Sequence, residues 1–213
     1  RHSQEFQKMF RAGLNTGEID PRDVLNAREQ VSFYEGQRGS VGLEWAERGP
    51  DNVGGRTRAI LVDILDTTGN TVYAGSVAGG LFKSLNGGAT WLPINDHSLA
   101  PAISCIDQGT NGTIYVGTGS SFESFDGSGS SGMIGMGMYK STDGENFELL
   151  PVTIPTPTNS MGADWTNINA IAVDPTNDER VFAATKQGLM LSSNGGTTWE
   201  CAANNVVGQC VGS

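Results

Sequence analysis

Hydrophobic and polar positions follow two different rules on either side of about residue 40. Phe6, Met9 and Phe10 recur at i, i+3 and i+4, one face of a helix. Asp20-Pro21-Arg22-Asp23 supplies a second helix start: an Asx cap, a proline at the first helical position and an acid in the first turn. The glycines of GQRGS, residues 36–40, then end the pattern. Residues 1–40 are therefore expected to form a helical N-terminal arm packed on the remainder of the chain. From Trp45 onward helical periodicity is gone, and short β-rich runs alternate with Gly/Asn/Asp turns. That is the pattern of an antiparallel all-β region.

The β-rich runs repeat. One stretch reads RAILVDI, TVYAGS, GGLFKS, then a turn and TWLPI. A second reads AISCID, TIYVGT, a Gly/Ser-rich insertion, GMYKS, then a turn and FELLPV. A third reads INAIAVD, RVFAAT, GLMLS, then a turn and TWECA. Ser84, Ser141 and Ser192 anchor the repeats at intervals of 57 and 51 residues. Each unit holds four short strands, A to D, the content of one β-propeller blade. Blade 1 is expected at about 56–95, blade 2 at 102–153 and blade 3 at 166–203, with a closing strand at 41–48 that contains Trp45. Three blades do not close a ring. The region 41–213 is thus expected to be an incomplete, N-terminal part of a larger propeller.

The turn between strands C and D is the sharpest motif. Ser84-x-Asn86-x-Gly88-x-Thr90-Trp91 and Ser192-x-Asn194-x-Gly196-x-Thr198-Trp199 match position for position, and Ser141-x-Asp143-Gly144 leading to Phe147 is one residue shorter. A short Asn or Asp side chain can accept hydrogen bonds from backbone N–H groups further along and fix such a loop. Glycine supplies the positive-φ positions. The aromatic residue opens strand D and can wedge into the seam between neighbouring blades, a burial worth ~2–3 kcal/mol.

These turns resemble Asp-box (bacterial neuraminidase, BNR) repeats. The phrases WAERGPDNVGGRTRAI, TVYAGSVAGGLFKSLNGGATW and INAIAVDPTNDERVFAAT are similar to those of sortilin-like and glycosyl-hydrolase-like secreted bacterial propeller proteins. The resemblance covers about residues 41–204 and implies a propeller fold and a secreted or cell-surface location. It implies no single activity, because Asp boxes shape blades in sialidases, other glycosidases, sorting receptors and photosystem assembly factors alike. Xyloglucan-active propeller hydrolases, which the chain resembles in blade 1, have a catalytic Asp two residues before the paired glycines. Here Val77 stands at that position in GSVAGG, and valine transfers no proton. Sialidases need an arginine cluster; Arg56 and Arg58 precede blade 1, but the Arg-Ile-Pro wording is missing. Strand alternation would put both arginines on one side, either toward a ligand or in ordinary solvated or seam-pairing positions.

Charge narrows the partners. Residues 1–58 hold 9 basic and 9 acidic residues, whereas residues 59–213 hold 4 basic and 14 acidic, so the repeats carry the whole net charge of −10. A polyphosphate needs a basic stripe, so nucleic acid is a poor partner. No apolar run approaches the ~18 residues of a membrane span. Two histidines far apart, His2 and His97, with no CxxC, HExxH or EF-hand spacing, leave no conventional metal site. The glycine run at 75–80 has neither lysine nor following helix to cradle phosphate, and no cofactor is expected. Cys201 and Cys210 could close a small loop, and Cys105 reads as a buried thiol.

Loop length points to a face. The A-to-B links and C-to-D turns are short, whereas residues 95–101, 118–135 and 153–167 are long and all belong to the B-to-C/D-to-A end of the blades. Such loops on a rigid scaffold either carry binding or simply tolerate variation. Phe122, Glu123, Phe125 and Asp126 alternate aromatics with acids, and Asp164-Trp165 repeats the theme, which suits stacking and hydrogen bonding to sugar rings. Trp165 could equally cap the seam between blades 2 and 3. Asn111-Gly112-Thr113 reads as a two-residue hairpin turn or as a glycosylation acceptor. Three functions remain open: a binding module for a protein or glycan ligand, a glycoside hydrolase with catalytic acids outside this stretch, and a structural subunit of a larger surface assembly tethered by the arm.

Overall fold

The structure, a computed structural model, describes residues 26, 27, 30, 33, 56–94, 102–119, 135–155, 165–185 and 188–202. Residues 26, 27, 30 and 33 are helical and exposed. Phe6, Met9, Phe10 and the expected closing strand 41–48 lie outside the described residues.

All other described secondary structure is β except one 3-10 turn, Pro151–Thr153. Blade 1 is β1 (Thr57–Val62), β2 (Val72–Ser76), β3 (Gly80–Ser84) and β4 (Leu92–Ile94). Blade 2 is β5 (Ile103–Gln108), β6 (Ile114–Thr118), β7 (Met138–Ser141) and β8 (Glu148–Leu149). Blade 3 is β9 (Ile168–Asp174), β10 (Asn177–Thr185), β11 (Gly188–Ser192) and β12 (Glu200–Cys201). Each is a four-stranded sheet in sequential order, and its neighbouring strands pair antiparallel. The expected A-to-D order is therefore the observed one, and the described residues from Arg56 onward form an all-β array of propeller blades.

Local chemistry explains the hairpins. Ser84 Oγ donates to Asn86 Oδ1 at 2.9 Å and accepts the Gly88 N–H at 2.9 Å, while Asn86 Oδ1 accepts the Thr90 N–H at 2.8 Å. Ser192, Asn194, Gly196 and Thr198 repeat this set at 3.0, 2.8 and 2.9 Å. In the shorter turn Asp143 Oδ1 accepts from Ser141 Oγ and from the Glu145 and Asn146 N–H groups. The three serines are buried, so their hydroxyls must be satisfied within the turn, as they are.

The core lies between blades, not within them. One cluster joins Tyr73, Leu81 and Ile94 of blade 1 to Ile103, Ile114, Val116, Tyr139 and Phe147 of blade 2. The other joins Tyr115 and Met138 of blade 2 to Trp165, Ile168, Val181 and Ala183 at blade 3. Alternation along each strand sorts the side chains between the two seams: in β6, Ile114 and Val116 face blade 1, whereas Tyr115 faces blade 3. The aromatic residues opening strand D differ in fate. Phe147 is buried and meets Tyr73 of blade 1 edge to face, with centroids 6.4 Å apart. Trp199 meets Trp165 at 5.0 Å and donates from Nε1 to Gly196 O at 3.2 Å. Trp91 is 39 % exposed and wedges into neither of these seams, because it lies on the side of blade 1 turned away from blade 2.

Cys201 is disulfide-bonded, while Cys105 is a free thiol. The expected partner of Cys201, Cys210, lies outside the described residues.

Candidate functional site

Strand register fixes which connections share an end. Thr57 pairs with Ser76, Ile103 with Thr118, and Ile168 with Thr185. The starts of the first strands and the ends of the second strands therefore lie together, at the end from which the long connections leave. The Ser-Asn/Asp turns and the A-to-B links close the opposite end.

At the loop end, buried threonines and glycines tie the loop stems to one another. Thr118 Oγ1 donates to Gly137 O at 2.6 Å and accepts the Met136 N–H at 2.8 Å, closing the base of the 118–135 loop. Thr153 Oγ1 accepts the Met138 N–H at 2.9 Å and donates to Leu150 O at 2.8 Å. Gly119 N–H donates to Ala102 O at 2.9 Å, and Gly135 N–H donates to Thr166 O at 2.8 Å. Gly119 is thus fastened to Ala102, at the start of blade 2, and Gly135 to Thr166, just ahead of β9. Gly119 is required there: it has φ +77°, and a Cβ would collide with Thr166 O.

Trp165, Thr166 and Asn167 form the base of the 153–167 connection and are all buried. Trp165 has φ +66°, a left-handed conformation unusual for a large side chain. Trp165 is only 8 % exposed and its ring packs on Trp199, within the core cluster between blades 2 and 3. Phe122, Glu123, Phe125, Asp126 and Asp164 lie outside the described residues.

Arg56 precedes β1, and its carbonyl accepts the Val77 N–H at 3.0 Å. Arg56 is exposed and Arg58 half-buried. A register shift lies between Thr57 and Ala59, so Arg58 stands at an irregularity of the β1–β2 pairing. The turn after β2 closes on itself, with Ser76 Oγ accepting the Gly79 N–H at 3.0 Å.

Hydrogen bonds tune three carboxylates of the turn end. Asp66, Asp143 and Asp174 are held below the ordinary carboxylate range, by hydrogen bonds from Thr68 and Thr71, from Asn146, and from Thr176 respectively. All three sit at the turn end. Hydrogen bonding to the charged form does this, and it suits a structural turn rather than a proton donor. Burial pushes the Cys105 thiol up to about 11, which makes it a poor nucleophile. Among the described residues no group of three or more His, Cys, Asp or Glu side chains could hold a metal ion, and no helix is long and apolar enough to cross a membrane.

Two pairs of residues that motif and loop patterns do not single out are prominent in the seams. Lys83 Nζ donates to Gly144 O at 3.2 Å, lies 5.4 Å from the Tyr73 ring centroid and pairs with Glu145, and Tyr73 OH donates to the same carbonyl at 3.1 Å. Lys140 Nζ donates to Gly195 O at 2.9 Å and lies 5.5 Å from the Tyr115 ring centroid. Their signal in the sequence is a Tyr and a Lys recurring at the same places in TVYAGS/GLFKS and TIYVGT/GMYKS.

No protein-family model matches the chain, and no curated protein matches it either. Solved structures do. An ancestral GH74 enzyme is 21% identical with a TM-score of 0.53, over 70% of this chain and 18% of that one. The GH74 xyloglucanase from Xanthomonas campestris is 21% identical with a TM-score of 0.48, over 66% and 20% of the two chains. YCF48 from Cyanidioschyzon merolae is 18% identical with a TM-score of 0.43, over 71% and 38%. At this identity the first of these supports the propeller fold and nothing finer. The chain spans about a fifth of the length of the GH74 structures it matches.

Proposed function

We propose that this chain is part of an extracellular Asp-box β-propeller that works as a binding or interaction module, with the B-to-C/D-to-A loop end as its ligand side. One observation carries the reading. The long connections leave from a single end of the blades, and their stems are hydrogen-bonded to one another through Gly119, Gly135 and Thr166, while the other end is closed by self-satisfied turns. A rigid base with long loops above it is the arrangement in which binding residues concentrate. Phe122, Glu123, Asp126 and Asp164 are the ligand-contacting candidates in those loops, and a protein segment or a glycan is the ligand class they suit. Val77 at the position of a catalytic Asp favours binding over hydrolysis.

The test uses the intact chain with two probes, a xyloglucan oligosaccharide and a displayed library of 12-residue peptides. Binding of either that falls at least tenfold when residues 120–134 are replaced by a short Gly-Ser link supports the reading. Binding that survives the replacement, or that maps to the Ser-Asn/Asp turns, overturns it. Release of reducing sugar from xyloglucan by the chain alone would overturn it in favour of a hydrolase.

A further inference from the structure

Three Asn-Gly pairs stand in the chain, Asn86-Gly87, Asn111-Gly112 and Asn194-Gly195, and each asparagine is exposed. An asparagine followed by glycine is open to attack by the next backbone nitrogen, because glycine has no Cβ to crowd the reacting atoms. The attack needs a freed glycine N–H and an asparagine side chain able to turn toward it. The three pairs differ in what holds these groups. Asn86 Oδ1 accepts from Ser84 Oγ and from the Thr90 N–H, and its Nδ2 donates to Thr90 Oγ1 at 2.8 Å. Asn194 repeats all three bonds with Ser192 and Thr198. The glycines that follow are tied to segments distant in the sequence, Gly87 N–H to Asn70 O at 2.9 Å and Gly195 N–H to Glu179 O at 2.8 Å.

Asn111 is held by less. Its Oδ1 accepts the Thr113 N–H at 2.9 Å, and among the described residues its Nδ2 has no partner. Gly112 N–H donates to Gly109 O at 2.9 Å, inside the same tight turn. Only these local bonds must open at Asn111, whereas at Asn86 or Asn194 a whole turn must also leave the segment beside it. The neighbourhood gives a change here a consequence. Thr110 N–H and Thr110 Oγ1 both donate to Asp178, which joins this turn of blade 2 to β10 of blade 3. A Cβ on Gly109 would lie 2.7 Å from Asp178 Oδ1 and 3.2 Å from Asn111 Oδ1, so the two oxygens are at most about 6 Å apart.

We propose that Asn111 is a modification site of the folded chain, converted by water to aspartate and isoaspartate, and that the new carboxylate loosens the tie between blades 2 and 3. Gly112 N loses its proton to solvent hydroxide and bonds to Asn111 Cγ. The Cγ–Nδ2 bond breaks, and Nδ2 leaves as ammonia with a proton taken from water. The ring so formed carries carbonyls at Cγ and at the Asn111 backbone carbon. Water opens it at the N–Cγ bond to give aspartate, or at the bond from N to the backbone carbon to give isoaspartate. The net change is one water taken up and one ammonia released, with no oxidation. The product places a negative charge beside Asp178, and like charges so close repel.

The test follows the intact chain at about pH 8 by peptide mapping, reading the one-dalton gain at each Asn-Gly pair. Asn111 is expected to convert at least about tenfold faster than Asn86 or Asn194 in the folded chain, and all three at similar rates in denaturant. Equal rates at the three sites in the folded chain, or an Asn111 that stays unmodified while folded, overturn the proposal. Isoaspartate must appear beside aspartate; aspartate alone means direct hydrolysis of the side-chain amide and overturns the route through the ring. A second measurement tests the consequence. Asn111→Asp should speed exchange of the Thr110 amide about tenfold, and less so in ~1 M salt, where the charges are screened. Asn111→Ser keeps an acceptor for the Thr113 N–H without the charge and should exchange like the unaltered chain. Equal exchange in the two variants overturns the loosening.

Discussion

Gly75→Ala should destabilise the chain although it adds one methyl group to a β-strand. Gly75 lies in β2 opposite Ala59, on the face that meets blade 2. A Cβ there would lie 2.9 Å from Ile103 Cβ, closer still to Ile103 Cγ2, and 3.3 Å from Ala59 Cβ. Ile103 is fully buried and cannot swing aside. The backbone of Gly75 is outside the positive-φ set, so no conformational strain contributes. Overpacking of this kind costs ~1–3 kcal/mol, against which the stiffer unfolded chain returns ~0.4–1 kcal/mol. Because two of these contacts fall below 3.0 Å, the overpacking belongs in the upper part of its range, ~2–3 kcal/mol, and the expected net loss is ~1–2.6 kcal/mol. Ile103→Ala alone should cost ~2–5 kcal/mol by leaving a cavity. Together the substitutions should cost ~1–2 kcal/mol less than their sum, because the new methyl enters space the isoleucine vacated. Urea unfolding of the intact chain followed by circular dichroism measures all four corners of the cycle. A neutral Gly75→Ala, or a double variant additive within ~0.5 kcal/mol, would refute the packing argument.

Three further outcomes are expected from the turns and the free thiol. Asp143 has its folded pKa lowered, by Asn146 first and then by the Asn146 and Glu145 backbone and Ser141, so its contribution to stability is present above the ordinary aspartate value of 3.8 and is lost as pH falls below it. Asp143→Asn should accordingly flatten the stability profile between about pH 5 and 2, measured by thermal unfolding, and an unchanged profile counts against that role. Asn194→Ala removes the acceptor for the Thr198 N–H and the Ser192 hydroxyl and should cost ~1–2 kcal/mol, whereas Asn194→Asp keeps Oδ1 and should stay within ~0.5 kcal/mol, both by urea titration. Cys105, half-buried and with its thiol pushed up to about 11, should react slowly with a disulfide reagent at pH 8 in the native chain and faster on unfolding; equally fast native labelling would contradict the raised thiol.

Legible in the sequence was the chemistry that closes over a few residues. Ser84, Asn86, Gly88 and Thr90 bond among themselves, so the turn could be read without knowing any neighbour. Strand order came from the repeat, and the long connections were legible as a shared end because antiparallel strands alternate direction. Features set by a neighbouring blade were not legible. Trp91, Phe147 and Trp199 occupy one motif position, yet only the last two meet an aromatic ring across the seam or at its edge. Nothing local marks Trp165 as left-handed, and the ring it packs on, Trp199, is distant in the sequence. The irregular pairing between Thr57 and Ala59 likewise leaves no mark in the string of residues. Thr118 and Thr153 look like ordinary strand and loop threonines until their burial makes each hydroxyl bind two partners.

The location of the core has a consequence for how the chain responds to damage. A single blade here has almost no interior: its buried apolar side chains point out of both faces, and each becomes buried only against the next blade. In such an array stability is close to a sum of blade terms and nearest-neighbour seam terms. Blade 2 shares two seams, whereas among the described residues blades 1 and 3 share one each. A substitution in the seam of blades 1 and 2, such as Gly75→Ala, should therefore loosen blade 1 well before blade 3. Amide exchange can separate the two, because faster exchange in β1–β4 with β9–β11 unchanged is the signature of a seam term. Uniform acceleration through all the strands would instead mean that the blades unfold as one unit, and that the seams are not the energetic joints their burial pattern implies.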